Sequence, residues 1–235
     1  MTRLRDLPKP GEPATRALRA APFETRPHDA STGPATPAEE AVRPLVGILA
    51  VQGDVSEHAA ALERVGARVR WVKRPVDLEG IDGLVLPGGE STTFRTLLDW
   101  EGLREGIRRR WEEGMAVFGT CAGAILLADE VAGVPAPHLS LLPIRVRRNA
   151  YGRQRDSFVA ELEVEGLEGG PVKGVFIRAP AIEEVGDALD VLAEIDGDAV
   201  LAESDRALVA TFHPELTPDL RLHRRFLEKI RVARS

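Results

Sequence analysis

The run VFGTCAGAILLA at residues 117–128 decides how this chain is read. Val117 and Phe118 close an apolar, strand-like segment, Gly119-Thr120-Cys121-Ala122-Gly123 follows, and the apolar stretch Ala124-Ile125-Leu126-Leu127-Ala128 resumes at once. A strand that turns through Gly-x-Cys-x-Gly into a helix has the layout of a nucleophile elbow, with sulfur in place of a serine hydroxyl. The glycines allow a tight turn that leaves the side chain clear of its own backbone. The first N–H groups of the helix would point at the thiol, favouring the thiolate and offering an oxyanion site. Cys121 is the only cysteine. A lone cysteine is ordinarily an inert packing residue. Here a second element far down the chain, Thr211-Phe212-His213-Pro214-Glu215, completes the composition of a nucleophile, base and orienter set.

Outward from the elbow, strands and helices alternate. Residues 44–51 (PLVGILAV) form a buried-strand run. Residues 54–65 predict a helix with Asp54 at the N-cap, Glu57 three residues on, and Ala59, Leu62 and Val65 on one face; Gly66 ends it. Strands are expected at 67–72, 83–86 and 116–120, with helices at 91–100 and 103–113. The second half is richer in strands, at 144–147, 157–164, 172–178, 191–195, 199–203 and 207–212. Short connections such as Asp196-Gly197-Asp198 point to hairpins. A closing helix at 218–232 would bury Leu220, Phe226, Leu227 and Ile230. The expected fold class is α/β: a three-layer sandwich whose mostly parallel central sheet carries helices on both faces and gains antiparallel strands in the second half.

Residues 1–43 differ in kind. Seven prolines (Pro8, Pro10, Pro13, Pro22, Pro27, Pro34 and Pro37) stand among alanines, threonines and charges without apolar periodicity. This predicts a disordered Pro/Ala-rich extension before a single domain at 44–235. The 235 residues are 43% hydrophobic and 29% charged, the balance of a globular protein. A net charge of -6 argues against binding nucleic acid through phosphate neutralisation. One cysteine forms no internal disulfide, so a reducing cytoplasm is expected. No apolar run is of membrane-spanning length, and the N-terminus lacks the apolar core of a secretory signal. There is no cysteine pair and no His-x-x-x-His, so neither metal nor cofactor is expected. His58 reads as a surface or interface residue, and His138 and His223 have no partner at a recognisable spacing.

Three further segments carry chemistry. Leu86-Pro87-Gly88-Gly89-Glu90-Ser91-Thr92-Thr93 sits where a strand gives way to a helix, at the ligand-binding edge of an open parallel sheet. Its paired glycines let backbone N–H groups approach a ligand, and Ser91 can cap the helix. Arg148-Asn149-Ala150-Tyr151-Gly152-Arg153-Gln154 is dense in long polar side chains. Val175-Phe176-Ile177-Arg178-Ala179-Pro180 ends an apolar strand on an arginine. Either arginine can clamp a carboxylate or lie solvated at an edge.

Taken in order, LPGGESTT (86–93), FGTCAG (118–123), RNAYGRQ (148–154) with Asp156-Ser157-Phe158, FIRAP (176–180) and FHPELT (212–217) make the chain resemble the glutaminase subunits of pyridoxal 5′-phosphate synthase. These are class I (triad) glutamine amidotransferases, with a flavodoxin-like fold. The resemblance runs from about residue 46 to the C-terminal helix. It implies hydrolysis of L-glutamine to glutamate and ammonia through a thioester on Cys121, with His213 as base and Glu215 as its orienter. It implies backbone oxyanion donors at Gly88, Gly89 and Ala122, and a glutamine site built from Gly89, Glu90, Ser91, Arg148, Ile177 and Arg178. Gln52 resembles a family glutamine near the oxyanion hole and partner interface. The implied partner is a separate barrel-shaped synthase subunit, arranged in a ring-shaped hetero-oligomer, to which ammonia passes for vitamin B6 biosynthesis.

A His-x-Glu spacing in an extended strand puts both side chains on one side, compatible with their hydrogen bond. An unperturbed cysteine has a pKa of about 8.5, so the attack needs a nearby imidazole to supply thiolate. Two rival readings stay open: a different class I glutaminase, such as the partner of imidazole glycerol phosphate synthase, which should lack the RNAYGRQ and FIRAP runs, and a non-catalytic binding subunit, which should have lost a triad member. A stress-type cysteine hydrolase would not need the downstream His-Pro-Glu.

Overall fold

A computed structural model describes residues 43–50, 53–89, 98, 102–135, 138–152 and 157–233. The expectations for the N-terminal extension up to residue 42, for Gln52, Glu90 and Ser91, and for most of the helix at 91–100 lie outside these residues.

In chain order the first half runs β1 (Leu45–Leu49), α1 (Val55–Arg64), β2 (Arg68–Val72), β3 (Gly83–Leu86), α2 (Leu103–Glu112), β4 (Ala116–Thr120) and α3 (Ala122–Leu127). The second half runs β5 (Ala128–Val131), β6 (Leu142–Arg147), β7 (Ser157–Leu162), β8 (Val172–Ile177), β9 (Ala181–Val185), β10 (Asp190–Ile195), β11 (Asp198–Glu203), β12 (Ala207–Ala210) and α4 (Arg221–Ala233). Among the described residues, a ten-stranded sheet has the order β2-β1-β3-β4-β12-β11-β9-β6-β5, with β10 on β11, and β7-β8 form a separate ribbon. The pairs from β2 to β12 are parallel. From β12 to β6 the pairs are antiparallel.

Both faces of the parallel half are covered, and residue alternation says why. On β3, Leu84 and Leu86 join one core while Val85 joins the other; on β4, Val117 opposes Ala116 and Phe118. The first core takes in Leu103 and Ile107 of α2; the second takes in Leu62 of α1 and Phe226 and Ile230 of α4. The layers are helix, sheet, helix.

Most predicted elements appear within a residue or two. β5 and β9 were not anticipated: their short, charge-bearing sequences, ADEV and AIEEV, carry no clean alternation. The Asp196-Gly197 turn is the expected hairpin. Ile195 pairs with Asp198, and both turn residues have positive φ, 53° and 93°, as a two-residue type I′ turn requires. The buried face of α1 is rotated from the expected one. Val55, His58, Ala61 and Leu62 are buried, while Ala59 and Val65 are only half so. Among the described residues, no helix is long and apolar enough to cross a membrane.

Candidate active site

β4 ends at Thr120, and the chain turns at Cys121 with φ 48° and ψ −105° before entering α3. A non-glycine residue at such a φ is strained and persists only where its surroundings enforce it. The flanking glycines enforce it by close packing. A Cβ on Gly123 would lie 1.9 Å from the Leu86 carbonyl oxygen, and one on Gly119 would lie 2.9 Å from that of Gly123. The elbow thus sits directly on the backbone of β3. α3 has only six residues, a weaker dipole source than the sequence suggested. Cys121 is 7% exposed, and its Sγ lies 3.8 Å from the Ile177 carbonyl oxygen.

The sheet register brings His213 to this sulfur. Ala210 of β12 stands opposite Thr120 of β4, and the backbone N–H of Cys121 donates to the Ala210 carbonyl at 2.9 Å. The chain runs on past Ala210 to His213, whose own N–H donates to the Val175 carbonyl at 2.8 Å. The His213 imidazole adjoins the Cys121 side chain, which helps to raise its pKa, while the thiol itself is directed at the Ile177 carbonyl. The imidazole ring packs on Gly88, where a Cβ would come within 2.3 Å of Cε1. Glu215 arrives by a different route from the expected strand. β12 ends at Ala210, and Pro214–Leu216 forms a 3-10 turn with Pro214 in its first position. This turn folds the carboxylate back, so that Glu215 Oε1 lies 2.7 Å from His213 Nδ1.

A second carboxylate meets the same nitrogen. Asp54 occupies the N-cap position of α1 but makes no capping hydrogen bond; its Oδ2 lies 3.1 Å from His213 Nδ1. Burial pulls the His213 pKa down, but hydrogen bonds with Asp54, Cys121 and Glu215 outweigh it and push it up to about 12. The bond to His213 holds the Asp54 carboxyl below its ordinary value. Burial raises that of Glu215 against the pull of His213. The more solvated Asp54 is therefore the firmly charged acid of the pair. Asp54, His213 and Glu215 place donor atoms of cation-binding type within 4.8 Å of one another.

Behind Glu215 lies a network that corrects the reading of two histidines. His58 and His223 are fully buried. His58 Nε2 lies 3.1 Å from Thr120 Oγ1 and 3.3 Å from Glu215 Oε2, and His58 Nδ1 lies 3.2 Å from His223 Nε2. With the hydrogen on Nε2, His58 donates to Thr120 and accepts from His223 on Nδ1, while Glu215 Oε2 lies beside the ring without a hydrogen bond of its own. Burial holds both pKa values down, His58 well below the usual range and His223 at about 4, so both rings are neutral at pH 7. The separations, 62 residues to Thr120 and 165 to His223, left no local pattern to find. His138 is also buried.

Above the sulfur is a cleft lined by Gly89, Cys121, Ala122, Ile125, Arg148, Asn149, Ile177, Arg178 and Pro180. It unites Gly89, Arg148, Ile177 and Arg178 of the predicted binding set with Cys121; Gly88 lies beneath, against His213. Glu90, Ser91 and Gln52 fall outside the described residues, as do Arg153, Gln154 and Asp156. Of five described non-glycine residues with positive φ, three line this cleft: Cys121, Asn149 at 48° and Arg178 at 44°. Such clustering is characteristic of functional sites. Tyr151 does not line it; its ring packs edge-on against Phe158, at 5.0 Å, supporting the β7-β8 ribbon. Asp54 and His58 are the site residues that sequence reasoning missed. Asp54 was seen as a helix cap, and only its lack of a capping bond separates the two roles.

Residues 48–232 match the SNO glutamine amidotransferase family. The chain is 50% identical over 194 residues to the pyridoxal 5′-phosphate synthase subunit PdxT of Streptomyces coelicolor, covering 82% of this chain and 96% of the relative. It is 52% identical over 189 residues to the subunit of the same name from Thermus thermophilus, covering 80% and 98%. A crystal structure described as a glutamine amidotransferase superposes with a TM-score of 0.75 at 50% identity, over 79% of this chain and 98% of that one. PurLQS from Thermotoga maritima shares the fold alone, with a TM-score of 0.58 at 16% identity over 81% and 97%.

Proposed function

The chain belongs to the SNO glutamine amidotransferase family, and from that premise we propose that it is the glutaminase subunit of a pyridoxal 5′-phosphate synthase. It hydrolyses L-glutamine and hands ammonia to a separate synthase subunit. The observation that carries this reading is the His213 imidazole, next to the Cys121 side chain on one edge and 2.7 Å from Glu215 on the other, beneath a cleft lined by Cys121, Arg148 and Arg178.

The chemistry follows from that placement. His213 holds its proton at rest, and a cationic imidazole beside the sulfur is the setting in which a thiolate serves as nucleophile. The thiolate attacks the carboxamide carbon of glutamine. The developing oxyanion takes N–H donors from Gly89 and Ala122 in the cleft, with Gly88 completing the loop. As the S–C bond forms, the sulfur loses the negative charge that had supported the imidazolium. His213 becomes more acidic at the moment it must protonate the departing nitrogen. The C–N bond breaks, ammonia leaves, and a γ-glutamyl thioester remains. Neutral His213 then takes a proton from water, whose oxygen attacks the thioester carbon. Glutamate departs and the thiolate–imidazolium pair returns. Glu215 fixes the tautomer throughout. Arg148 and Arg178 bind the α-carboxylate of the substrate.

We place residues 44–235 as the amidotransferase domain and the complex in the cytoplasm, as a ring-shaped hetero-oligomer whose docking activates the glutaminase; the single free thiol suits that compartment. The test is glutamate release by the purified chain, alone and with its synthase. Turnover that needs the synthase and vanishes in Cys121→Ala supports the reading. No turnover in either setting, or unchanged turnover in Cys121→Ala, overturns it.

A further inference from the structure

We propose that Asp54 is a fourth, positioning member of the triad: a carboxylate on the solvent side that shares the Nδ1 hydrogen of His213 with Glu215 and holds the imidazole as a cation beside Cys121. The proposal deepens the glutaminase reading and rests on it for its purpose, but its geometry stands apart.

Three observations converge. Asp54 Oδ2 lies 3.1 Å from His213 Nδ1, while Glu215 Oε1 is 2.7 Å from the same atom. An aspartate at an N-cap ordinarily spends its carboxylate on the first helical N–H groups; this one makes no such bond. The preceding loop is also drawn inward. Gly53 has φ 95°, and a Cβ there would lie 1.8 Å from the carbonyl oxygen of Gly88, the residue on which the His213 ring packs. Bare backbone against bare backbone sets Asp54 at its distance.

The two acids divide the work by their surroundings. Glu215 has a fully buried side chain; that of Asp54 is 33% exposed. A buried carboxylate is a precise orienter but an expensive charge. A solvated one holds its charge at little cost, and its bond to His213 favours the ionised form. The titratable groups facing His213 are Cys121 from the elbow, Glu215 from the 3-10 turn, and Asp54 and, one turn on, His58 from α1. Burial keeps His58 neutral, so the negative charge opposite the imidazolium comes from the two acids and the sulfur. Removing Asp54 leaves Glu215 to orient the ring but weakens the support for its proton. The neutral thiol–imidazole pair then gains population at the expense of the thiolate–imidazolium pair.

The experiment is the pH dependence of iodoacetamide alkylation of the full chain, which reads Cys121 alone because no other thiol is present. The expected result for Asp54→Asn is an alkylation profile whose acid limb lies about one pH unit above the parent's, so that on that limb the rate is about tenfold lower at the same pH. At pH 10, where a thiol ionises unaided, the two rates converge. The Glu215→Gln/Asp54→Asn double variant should displace the acid limb further in the same direction. Asp54→Ser restores a good helix cap without restoring the carboxylate, so it should follow Asp54→Asn. Profiles that superimpose from pH 5 to pH 10 overturn the proposal, as does an Asp54→Asn rate lowered equally at all pH values, or full recovery in Asp54→Ser. Because alkylation needs neither glutamine nor synthase, these outcomes are independent of whether the parent complex hydrolyses glutamine.

Discussion

The backbone N–H of Cys121 donates to the carbonyl of Ala210 at 2.9 Å. Cys121 is thereby fastened to the strand that leads to His213, and the proposed nucleophile and base share one rigid reference. Rigid elements hold reacting groups more tightly than loops do.

Removing the sulfur should leave that frame intact. Cys121→Ala is expected to lower glutamine turnover in the synthase complex by at least about 10³-fold with an unchanged melting temperature, since the nucleophile and its base act as one unit. Ammonia release and a thermal melt on the same preparation check both halves.

Gly88→Ala should harm catalysis more than folding. The added methyl would sit 2.3 Å from His213 Cε1, so the ring must leave its place beside Cys121 and Glu215. A displacement on the scale of an ångström costs on the order of 10² in rate. Steady-state kinetics should show the loss in kcat, with cooperative unfolding retained.

Arg148 and Arg178 are tested by the split between kinetic parameters. If both clamp the substrate carboxylate, Arg148→Ala should raise KM about 10- to 100-fold and change kcat less, since a charged hydrogen bond contributes about 1.5–3 kcal/mol. A kcat effect with unchanged KM would move Arg148 from binding to chemistry.

The buried histidines predict an acid-sensitive fold. Burial depresses the pKa of His223 from 6.5 to about 4, and that of His58 falls well below 6.5 too. Groups depressed in the folded state stabilise it fully above 6.5 and lose that contribution as pH falls towards the folded value. His223 alone should cost about 2 kcal/mol between pH 7.5 and pH 5. Urea titrations at the two pH values measure it. His223→Gln, which keeps a donor for His58, should flatten the dependence.

The first half of the fold was legible because buried parallel strands are continuous apolar runs bounded by glycine and acid, as LVGIL and GLVL are. β9 escaped because AIEEV is buried at Ala181 and Ile182 but exposed at Glu183 and Glu184, so no alternation marks it. At the site, Cys121 and His213 were legible from local frames, a glycine-flanked turn and a His-Pro-Glu run. Glu215 was placed by the right partner but the wrong backbone, since Pro214 opens a 3-10 turn where an extended strand was expected. His58 was misassigned, and Asp54 was rightly placed at the helix N-cap but its contact with His213 was missed, for a common reason. Their partners come from segments distant in sequence, and a helix pattern reports which polar side chains turn inward only when the inward face is apolar.

The left-handed backbone at Cys121, Asn149 and Arg178 has a consequence for anyone engineering this chain. Relaxing such positions is a common way to raise heat resistance, and glycine at 149 or 178 would be an obvious choice. All three stand around one cleft. A thermostability screen blind to turnover would therefore be drawn to the site first, and would harvest tougher proteins that have forgotten their reaction.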